Sequence, residues 1–350
     1  MDNLTALVFD WGNTIMLDNP QFSGKMKDWP VVESIDNAVE TLKLLSNDFD
    51  LVLGTNAEDS TIDDIKQALD RVNLGSFFSH IFTYHELQAK KPDPNFFHQI
   101  SKKISLIPYQ LVMIGDDYQN DVVAAKNAGW NAIWFNPSRK IAPAQLPFQD
   151  MEISNLLELT EKITIPFYPD IQTCLNWYLE NGATHTLLAN VKNVAAISYQ
   201  IAIWLEEKGC DVDPLLAHRG GFIHDLAKLK NESAKNHAEL AADILIEKNQ
   251  NTLAEIARRH LIGNLLSEDF KPKTWEQKIV NYADKLSEGS DIVSLDQRLY
   301  ALQERYPNFS EKIKRNTPLI KDLENEILSK LGISPEEFLT KLKSALFNGF

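Results

Sequence analysis

Apolar and polar positions change period about half-way along the 350-residue chain. Up to about residue 160, short apolar runs alternate with stretches of helical spacing, the pattern of a parallel sheet covered by helices. The runs TALVFD, DLVLGT, HIFTY, LVMIGD and NAIWFN are expected strands, with helices near 35 to 46, 60 to 72, 94 to 103 and 120 to 128. Ligands of such sheets gather outside the carboxyl ends of the strands, which directs attention to Asp10, Thr55 and Asp116. Beyond EKITIPFYPD the strand signal stops. Leu187, Val191, Val194, Ile201 and Leu205 then recur at threes, fours and a seven, as one buried helix face requires. Asp213 followed by Pro214 reads as an N-cap with proline in the first turn. Pro166 and Pro169 interrupt regular structure near residues 162 to 170. The expected fold is therefore α/β followed by all-α, in domains of residues 1–163 and 170–350. Length favours two cores as well, because one core rarely organises more than about 250 to 300 residues.

The formal net charge of −14 opposes a broad surface for nucleic acid or an anionic membrane, both of which are bound through clustered Lys and Arg. An anionic substrate would have to be met locally, for instance by metal ions. Two cysteines, Cys174 and Cys210, suit a reducing compartment better than a disulfide framework and read as packing residues. The first residues lack the basic and apolar regions of a signal peptide, and no apolar run approaches the roughly 20 residues that span a bilayer. A cytoplasmic location is expected, and nothing in the pattern points to an oligomeric state.

In ALVFDWGNTIM an apolar run ends in Asp10, and a polar loop with Gly12, Asn13 and Thr14 follows. A carboxylate at a strand tip suits nucleophilic attack on phosphate, but such attack usually needs a second acid two positions on, and that position is Gly12. The segments VFDWGNT, LGTN, KKPDP and GDDYQND, in this order at strand ends and loops, resemble the haloacid dehalogenase (HAD) superfamily over roughly residues 4 to 160. The resemblance implies a Rossmann-like core in which Asp10 forms an aspartyl-phosphate, Thr55 bonds the phosphoryl oxygens and Lys91 neutralises charge. It also implies a magnesium ion held by Asp10, the backbone carbonyl of Gly12, Asp116 and Asp121. General acid help is worth about 10² to 10⁴ in rate, so Gly12 should slow hydrolysis of esters with poor leaving groups. About 35 residues separate Thr14 from the second strand, too few for a large cap plus the helix near Asp36. This minimal cap argues against a dehalogenase or phosphonate hydrolase. The domain reads either as a slow or specialised phosphatase or as a phosphate-binding domain without turnover.

Five of the eight histidines fall between His185 and His260. HTLLANVKN, FIHDLAKL, NHAELAADI and RRHLIG are followed by NYADKLSEG. A single buried histidine is ordinarily a satisfied core residue, whereas four in these settings, with an adjacent His-Asp pair and a late Asp, are hard to explain as packing. The series resembles the HD superfamily of metal-dependent phosphohydrolases. That resemblance implies that His185, His224, Asp225 and Asp284 hold one metal ion and His237 and His260 a second, with Asp225 bridging. Mixed imidazole and carboxylate ligands suit iron or manganese. Lys228 lies four residues after His224, one turn along the same helix face, and reads as a phosphate contact or as the partner of a carboxylate. His218 matches no ligand position and reads as surface or packing, and Arg219 as a structural residue rather than a substrate contact. Among HD proteins, residues 170 to 295 are most similar to the bacterial symmetrical diadenosine tetraphosphate hydrolases. LIG after His260 and LSEGSD after Asp284 depart from that group's pattern.

The N-terminal site thus keeps its nucleophile and metal seat but lacks an acid, while the C-terminal site has a full set of ligands. The expected main activity is hydrolysis of a nucleotide phosphoanhydride or phosphoester in the HD domain by two transition-metal ions, with symmetrical cleavage of diadenosine tetraphosphate to ADP as the first choice. The expected partner is accordingly a small phosphorylated or nucleotide substrate. A nucleoside or small-metabolite monophosphatase is one alternative, and a nucleotide-responsive binding protein without turnover is another. Residues after about 296 read as charged helices that either complete the bundle or meet a partner.

Overall fold

The computed structural model describes residues 4–143, 146–230 and 236–347. The chain divides into two compact units, Met1–Lys140 with Phe148–Phe167, and Ile141–Pro147 with Tyr168–Phe350. The expected first domain, continuous to residue 163, therefore needs one correction: Ile141–Pro147 belongs to the second unit. One tie is a distant side chain. Buried Arg219 donates through Nη2 to the carbonyl of Pro147 at 2.8 Å and through Nε to that of Pro169 at 2.9 Å.

The first unit is built on six strands: β1 (Ala6–Phe9), β2 (Asp50–Gly54), β3 (His80–Phe82), β4 (Leu111–Gly115), β5 (Asn131–Phe135) and β6 (Met151–Ile153). All pair in parallel in the order β3-β2-β1-β4-β5-β6. Helices α1 (Ala38–Leu45), α2 (Ile62–Asp70), α3 (Tyr84–Leu87), α4 (Pro94–Ile104), α5 (Ala124–Asn127) and α6 (Glu158–Lys162) connect and follow them. The strands read as continuous apolar runs because both faces of the sheet are covered; every residue of β1 and β4 is buried. Strand order reverses between β1 and β4, so the loops leaving these two neighbours open a crevice at their carboxyl ends. β6 was not among the expected strands, since the three residues MEI are too few to show a period. Between β1 and α1 the chain forms only a short turn at Met26–Asp28 and isolated bridges from Met16 to Gly12 and Ser34, a minimal cap.

The second unit comprises α7 (Ile171–Glu180), α8 (His185–Glu207), α9 (Pro214–Ile223), α10 (His237–Glu247), α11 (Asn251–Arg259), α12 (Trp275–Asp284), α13 (Leu295–Arg305), α14 (Ser310–Leu331) and α15 (Pro335–Phe347). Asp213 caps α9 by accepting from the N–H groups of Leu215 and Leu216 at 2.9 and 3.1 Å, with Pro214 in the first turn. Reciprocal capping boxes, Asn236 with Glu239 and Thr274 with Gln277, start α10 and α12. The second half is a helical bundle, as expected, and carries one small antiparallel hairpin, β7 (Ser287–Glu288) and β8 (Asp291–Ile292), which turns at Gly289 with φ +66°. Its strands are too short to show a period of two. The segment after residue 296 completes the bundle: Ile320 and Ile327 of α14 and Phe338 and Leu342 of α15 share one core with Ile197 and Ile201 of α8 and Ile279 of α12. No helix among the described residues is long and apolar enough to cross a membrane.

Where α8 and α9 cross, a Cβ at Gly221 would lie 3.0 Å from the Ala195 Cα and 3.0 Å from the Val194 carbonyl oxygen, so glycine permits the close approach. Replacing Arg219 by alanine strands the carbonyls that it ties together, at about 1–3 kcal/mol for each buried group left unpaired. A lower urea midpoint with an unchanged m value is the expected outcome, and an unchanged midpoint would contradict it.

Candidate functional site

In the first unit, Asp10 leaves the tip of β1 and its N–H donates to the Ile114 carbonyl of β4 at 2.9 Å, extending the sheet by one residue. Asp116 follows the end of β4, and Asp121 sits in a wide helical turn over Tyr118–Val123. One carboxylate oxygen from each of Asp10, Asp116 and Asp121 falls within a mutual separation of 4.8 Å. Lys91 reaches into this group from the loop before α4, its Nζ 2.6 Å from Asp10 Oδ1 and 2.5 Å from Asp121 Oδ1. Burial would lower the Lys91 ammonium, but Asp10 and Asp121 outweigh it and hold it well above the usual range. Burial pushes Asp121 up, with Asp10 adding to the effect against the pull of Lys91. Asp116 is also raised, first by burial and then by Asp10. Three carboxylates around one ammonium remain short of positive charge, and an all-oxygen donor set fits a hard cation such as magnesium.

Thr55 lies buried at the carboxyl end of β2, where its hydroxyl accepts from the Ala57 N–H at 3.1 Å. Gly12 is half-buried, pairs with Met16 and carries no side-chain acid. Two residues absent from the expected site help to build it. Thr14 Oγ1 donates to Asp116 Oδ1 at 3.2 Å and accepts from the Asp116 N–H at 3.1 Å. The Asn56 amide grips the Lys91 backbone from both sides, donating to its carbonyl at 2.9 Å and accepting from its N–H at 2.8 Å. Both stand inside the segments VFDWGNT and LGTN, adjacent to or near the expected residues, and that proximity was the available signal.

In the second unit, four helix ends converge. His224 follows the last residue of α9, His237 is the first of α10, His260 follows the last of α11, and Asp284 is the last of α12. Asp225 stands at the middle and is 1% exposed. Its Oδ1 lies 3.2 Å from His237 Nε2 and 3.4 Å from His260 Nε2. Its Oδ2 lies 3.4 Å from His224 Nε2 and 2.9 Å from Lys228 Nζ. Asp284 Oδ1 is 3.6 Å from His224 Nε2.

The tautomers follow from the backbone. His224 Nδ1 is 2.8 Å from the Gly221 carbonyl and His260 Nδ1 is 2.6 Å from the Ala257 carbonyl. A carbonyl can only accept, so each Nδ1 is the donor, and in a neutral ring each Nε2 presents a lone pair inward. His224 Nε2 and Asp225 Oδ1 are buried without a hydrogen-bond partner, and His237 Nε2 and His260 Nε2 face each other at 3.2 Å. Inward lone pairs around a buried carboxylate fit transition-metal ions. Burial would lower His224, yet without a cation in place Asp225 and Asp284 push it up to about 9, so a metal ion would take the position of its Nε2 proton, while burial takes His260 down to about 4. Against burial, His224 leads in holding Asp225 well below the usual carboxylate range, and Lys285 leads for Asp284.

Two expectations need correction here. His185 does not join the cluster: Thr184 caps α8, so His185 occupies its exposed first turn. α8 instead meets the region after Asp284 further along, through Asn190 Oδ1 and Asn193 Nδ2 on Ser287 Oγ at 3.1 and 2.9 Å. Lys228 does not continue a helix from His224, because α9 ends at Ile223 and the chain tightens into turns, with the Lys228 N–H donating to the Asp225 carbonyl at 2.9 Å. Its ammonium pairs with Asp225 and its side chain is 42% exposed. His218 is packed rather than at the surface, with Nδ1 2.8 Å from Arg219 Nη1. Lys285 was missed: its Nζ lies 2.5 Å from Asp284 Oδ2 and 3.1 Å from the His260 carbonyl, tying two of the converging ends together.

At the end of β4, a Cβ on Gly115 would lie 2.1 Å from Asp121 Oδ2, so only glycine lets that carboxylate reach the crevice. Gly115→Ala should cost about 1–3 kcal/mol through overpacking. Titration calorimetry with Mg²⁺ should show a loss of affinity of roughly tenfold or more, and full retention would refute this role.

Residues 15–135 match the haloacid dehalogenase-like hydrolase family and residues 187–289 the HD domain family. An uncharacterized protein of Methanocaldococcus jannaschii is 28% identical over 158 residues, spanning 42% of this chain and 93% of its own length. The pyrimidine 5'-nucleotidase of Streptococcus pneumoniae is 30% identical over 123 residues, 34% of this chain, which spans half (50%) of the nucleotidase. A solved putative HAD-hydrolase of Bacillus subtilis bound to magnesium is 18% identical, covers 47% of this chain and 100% of its own, and superposes with a TM-score of 0.39. Domains of both families are generally metal-dependent. The chain thus carries an N-terminal haloacid dehalogenase-like hydrolase domain and a C-terminal HD domain.

Proposed function

We propose that the chain is a metal-dependent phosphohydrolase whose main activity lies in the HD domain and cleaves a nucleotide phosphoanhydride or phosphoester. The observation that carries this reading is the shared Asp225 carboxylate, one oxygen facing His237 and His260 and the other facing His224. His224 and Asp284 would hold one cation and His237 and His260 another, with Asp225 common to both. When bound, two such ions supply charge neutralisation on phosphate and an activated water. The chain's own residues do the rest. The backbone carbonyls of Gly221 and Ala257 fix the tautomers and orientation of His224 and His260. Lys285 holds Asp284 and the His260 turn in register. Lys228, half-exposed and paired with Asp225, can turn its ammonium toward a neighbouring phosphate in an otherwise acidic protein.

A polyphosphate-bridged dinucleotide suits this arrangement, because it offers several anionic oxygens and a leaving group that requires no strong acid. We take symmetrical cleavage of diadenosine tetraphosphate to two ADP as the first substrate reading. In the N-terminal domain, Asp10 is the nucleophile, Lys91 neutralises the transferring phosphoryl group and Thr55 bonds its oxygens; Asp10, the Gly12 carbonyl, Asp116 and Asp121 would hold a magnesium ion, which would supply further charge neutralisation. Lacking an acid at Gly12, this site favours acyl and aryl phosphates over alkyl esters. The similarity to a pyrimidine 5'-nucleotidase supports a second reading, in which nucleoside monophosphates are substrates of the Asp10 site.

Chromatography of the products separates these readings. Diadenosine tetraphosphate should give ADP alone, and the His224→Ala, Asp225→Ala double variant should lose more than the roughly 10–100-fold that removal of an outer-shell partner costs. ATP plus AMP would refute the symmetrical cut. Absence of dinucleotide cleavage, with nucleoside monophosphate turnover abolished by Asp10→Asn, would favour the second reading.

A further inference from the structure

Gly12 leaves space where an acid would stand to protonate a leaving oxygen, and one side chain borders that space. A Cβ built on Gly12 would meet, apart from its chain neighbours, only the Cβ of Asp18, at 4.0 Å. The chain doubles back to bring it there. Asn13 adopts a left-handed φ of 54°, and its N–H donates to the Met16 carbonyl at 2.7 Å. Its side-chain Oδ1 then accepts from the Asp18 N–H at 3.2 Å. The Leu17 N–H donates to the Glu33 carbonyl at 2.9 Å, which anchors the returning segment. Carboxyl groups carried on two Cβ atoms this close sample overlapping volumes, so an acid at position 18 can serve the place that Gly12 leaves. Asp18 is exposed, whereas the Lys91 ammonium beside Asp10 is committed to Asp10 and Asp121.

We propose that Asp18 is the general acid of the N-terminal site, a catalytic residue delivered by the loop after the nucleophile. This rests on Asp10 being that nucleophile. An Asp10 oxygen bonds to phosphorus as the bond from phosphorus to the leaving oxygen breaks, and that oxygen takes the Asp18 proton and departs as an alcohol. Water then attacks the phosphorus of the aspartyl-phosphate and gives one proton to the Asp18 carboxylate. The bond from phosphorus to Asp10 breaks, inorganic phosphate leaves, and both carboxyl groups return to their starting states. An acid on an exposed loop serves alkyl esters less well than one fixed two residues after the nucleophile, which agrees with a site that prefers good leaving groups.

The test compares turnover of acetyl phosphate, whose leaving group needs little protonation, with that of glycerol phosphate, an alkyl ester. Full-length wild type, Asp18→Asn and Asp18→Asn with Gly12→Asp are measured, and only the turnover removed by Asp10→Asn is counted. The alkyl-to-acetyl ratio of kcat should fall about 10²-fold or more in Asp18→Asn and recover in the double variant, since Gly12 has room for a side chain. An unchanged ratio in Asp18→Asn overturns the proposal. So does a wild type that turns over acetyl phosphate through Asp10 and leaves glycerol phosphate intact. Acetyl phosphate turnover indifferent to Asp10→Asn instead overturns the nucleophile reading beneath it.

Discussion

A carboxylate taken out of water must be compensated where it sits, and Asp225 shows how strongly that requirement shapes the second unit. It is 1% exposed, and the groups around it are three imidazoles and one ammonium. Isolated burial of such a charge is prohibitive, and lone pairs turned toward it do not offset it, so the Lys228 ammonium and a bound cation are obligations of the fold as well as a chemical device. The helices serve these obligations with their ends. α9, α11 and α12 direct their C-terminal turns at the centre, where partial negative charge favours cations, and α10 brings its N-terminal turn toward the carboxylate. Gly221 allows α9 to lie against α8, and the Asp213 cap sets where α9 begins, so that its last turn delivers His224 and Asp225 together.

The first unit solves a related problem with the opposite imbalance. Asp10, Asp116 and Asp121 gather three carboxylates at the switch point of a parallel sheet, and Lys91 offsets only part of their charge. Thr14, Asn56 and Gly115 hold this arrangement in place through backbone bonds and a missing side chain. The first unit thus gathers acid groups whose charge asks for a cation and offers oxygen donors alone, whereas the second sets imidazoles around one carboxylate and mixes nitrogen and oxygen. The difference in donor chemistry argues for different ions at the two places.

Much of this was legible because it depends on local pattern. Five strands, the N-cap at Asp213 and the strand-end carboxylates follow from apolar runs, Pro and Asp placement and the rule that parallel sheets bind at their carboxyl ends. The His224–Asp225 doublet is visible because adjacency in sequence guarantees proximity in space. What failed to show depends on contacts between distant segments. His185 lies at an exposed helix start because Thr184 caps α8, a boundary that the motif HTLLANVKN does not announce. Lys228 left the expected helix face because the chain turns after Ile223. One tie of Ile141–Pro147 to the second unit is Arg219, more than seventy positions away (|i−j| 72). Lys285, next to an expected ligand, gained its role only from the His260 carbonyl that folding brings to it.

If Asp225 serves two cations at once, anomalous diffraction will reveal both. Crystals of protein purified without chelator should be measured on either side of the absorption edge of the metal that the protein carries. Two peaks are expected to flank Asp225, one beside His224 and Asp284 and one beside His237 and His260. A single peak, or none, in crystals of protein that still hydrolyses phosphoanhydrides through this domain would contradict this shared role.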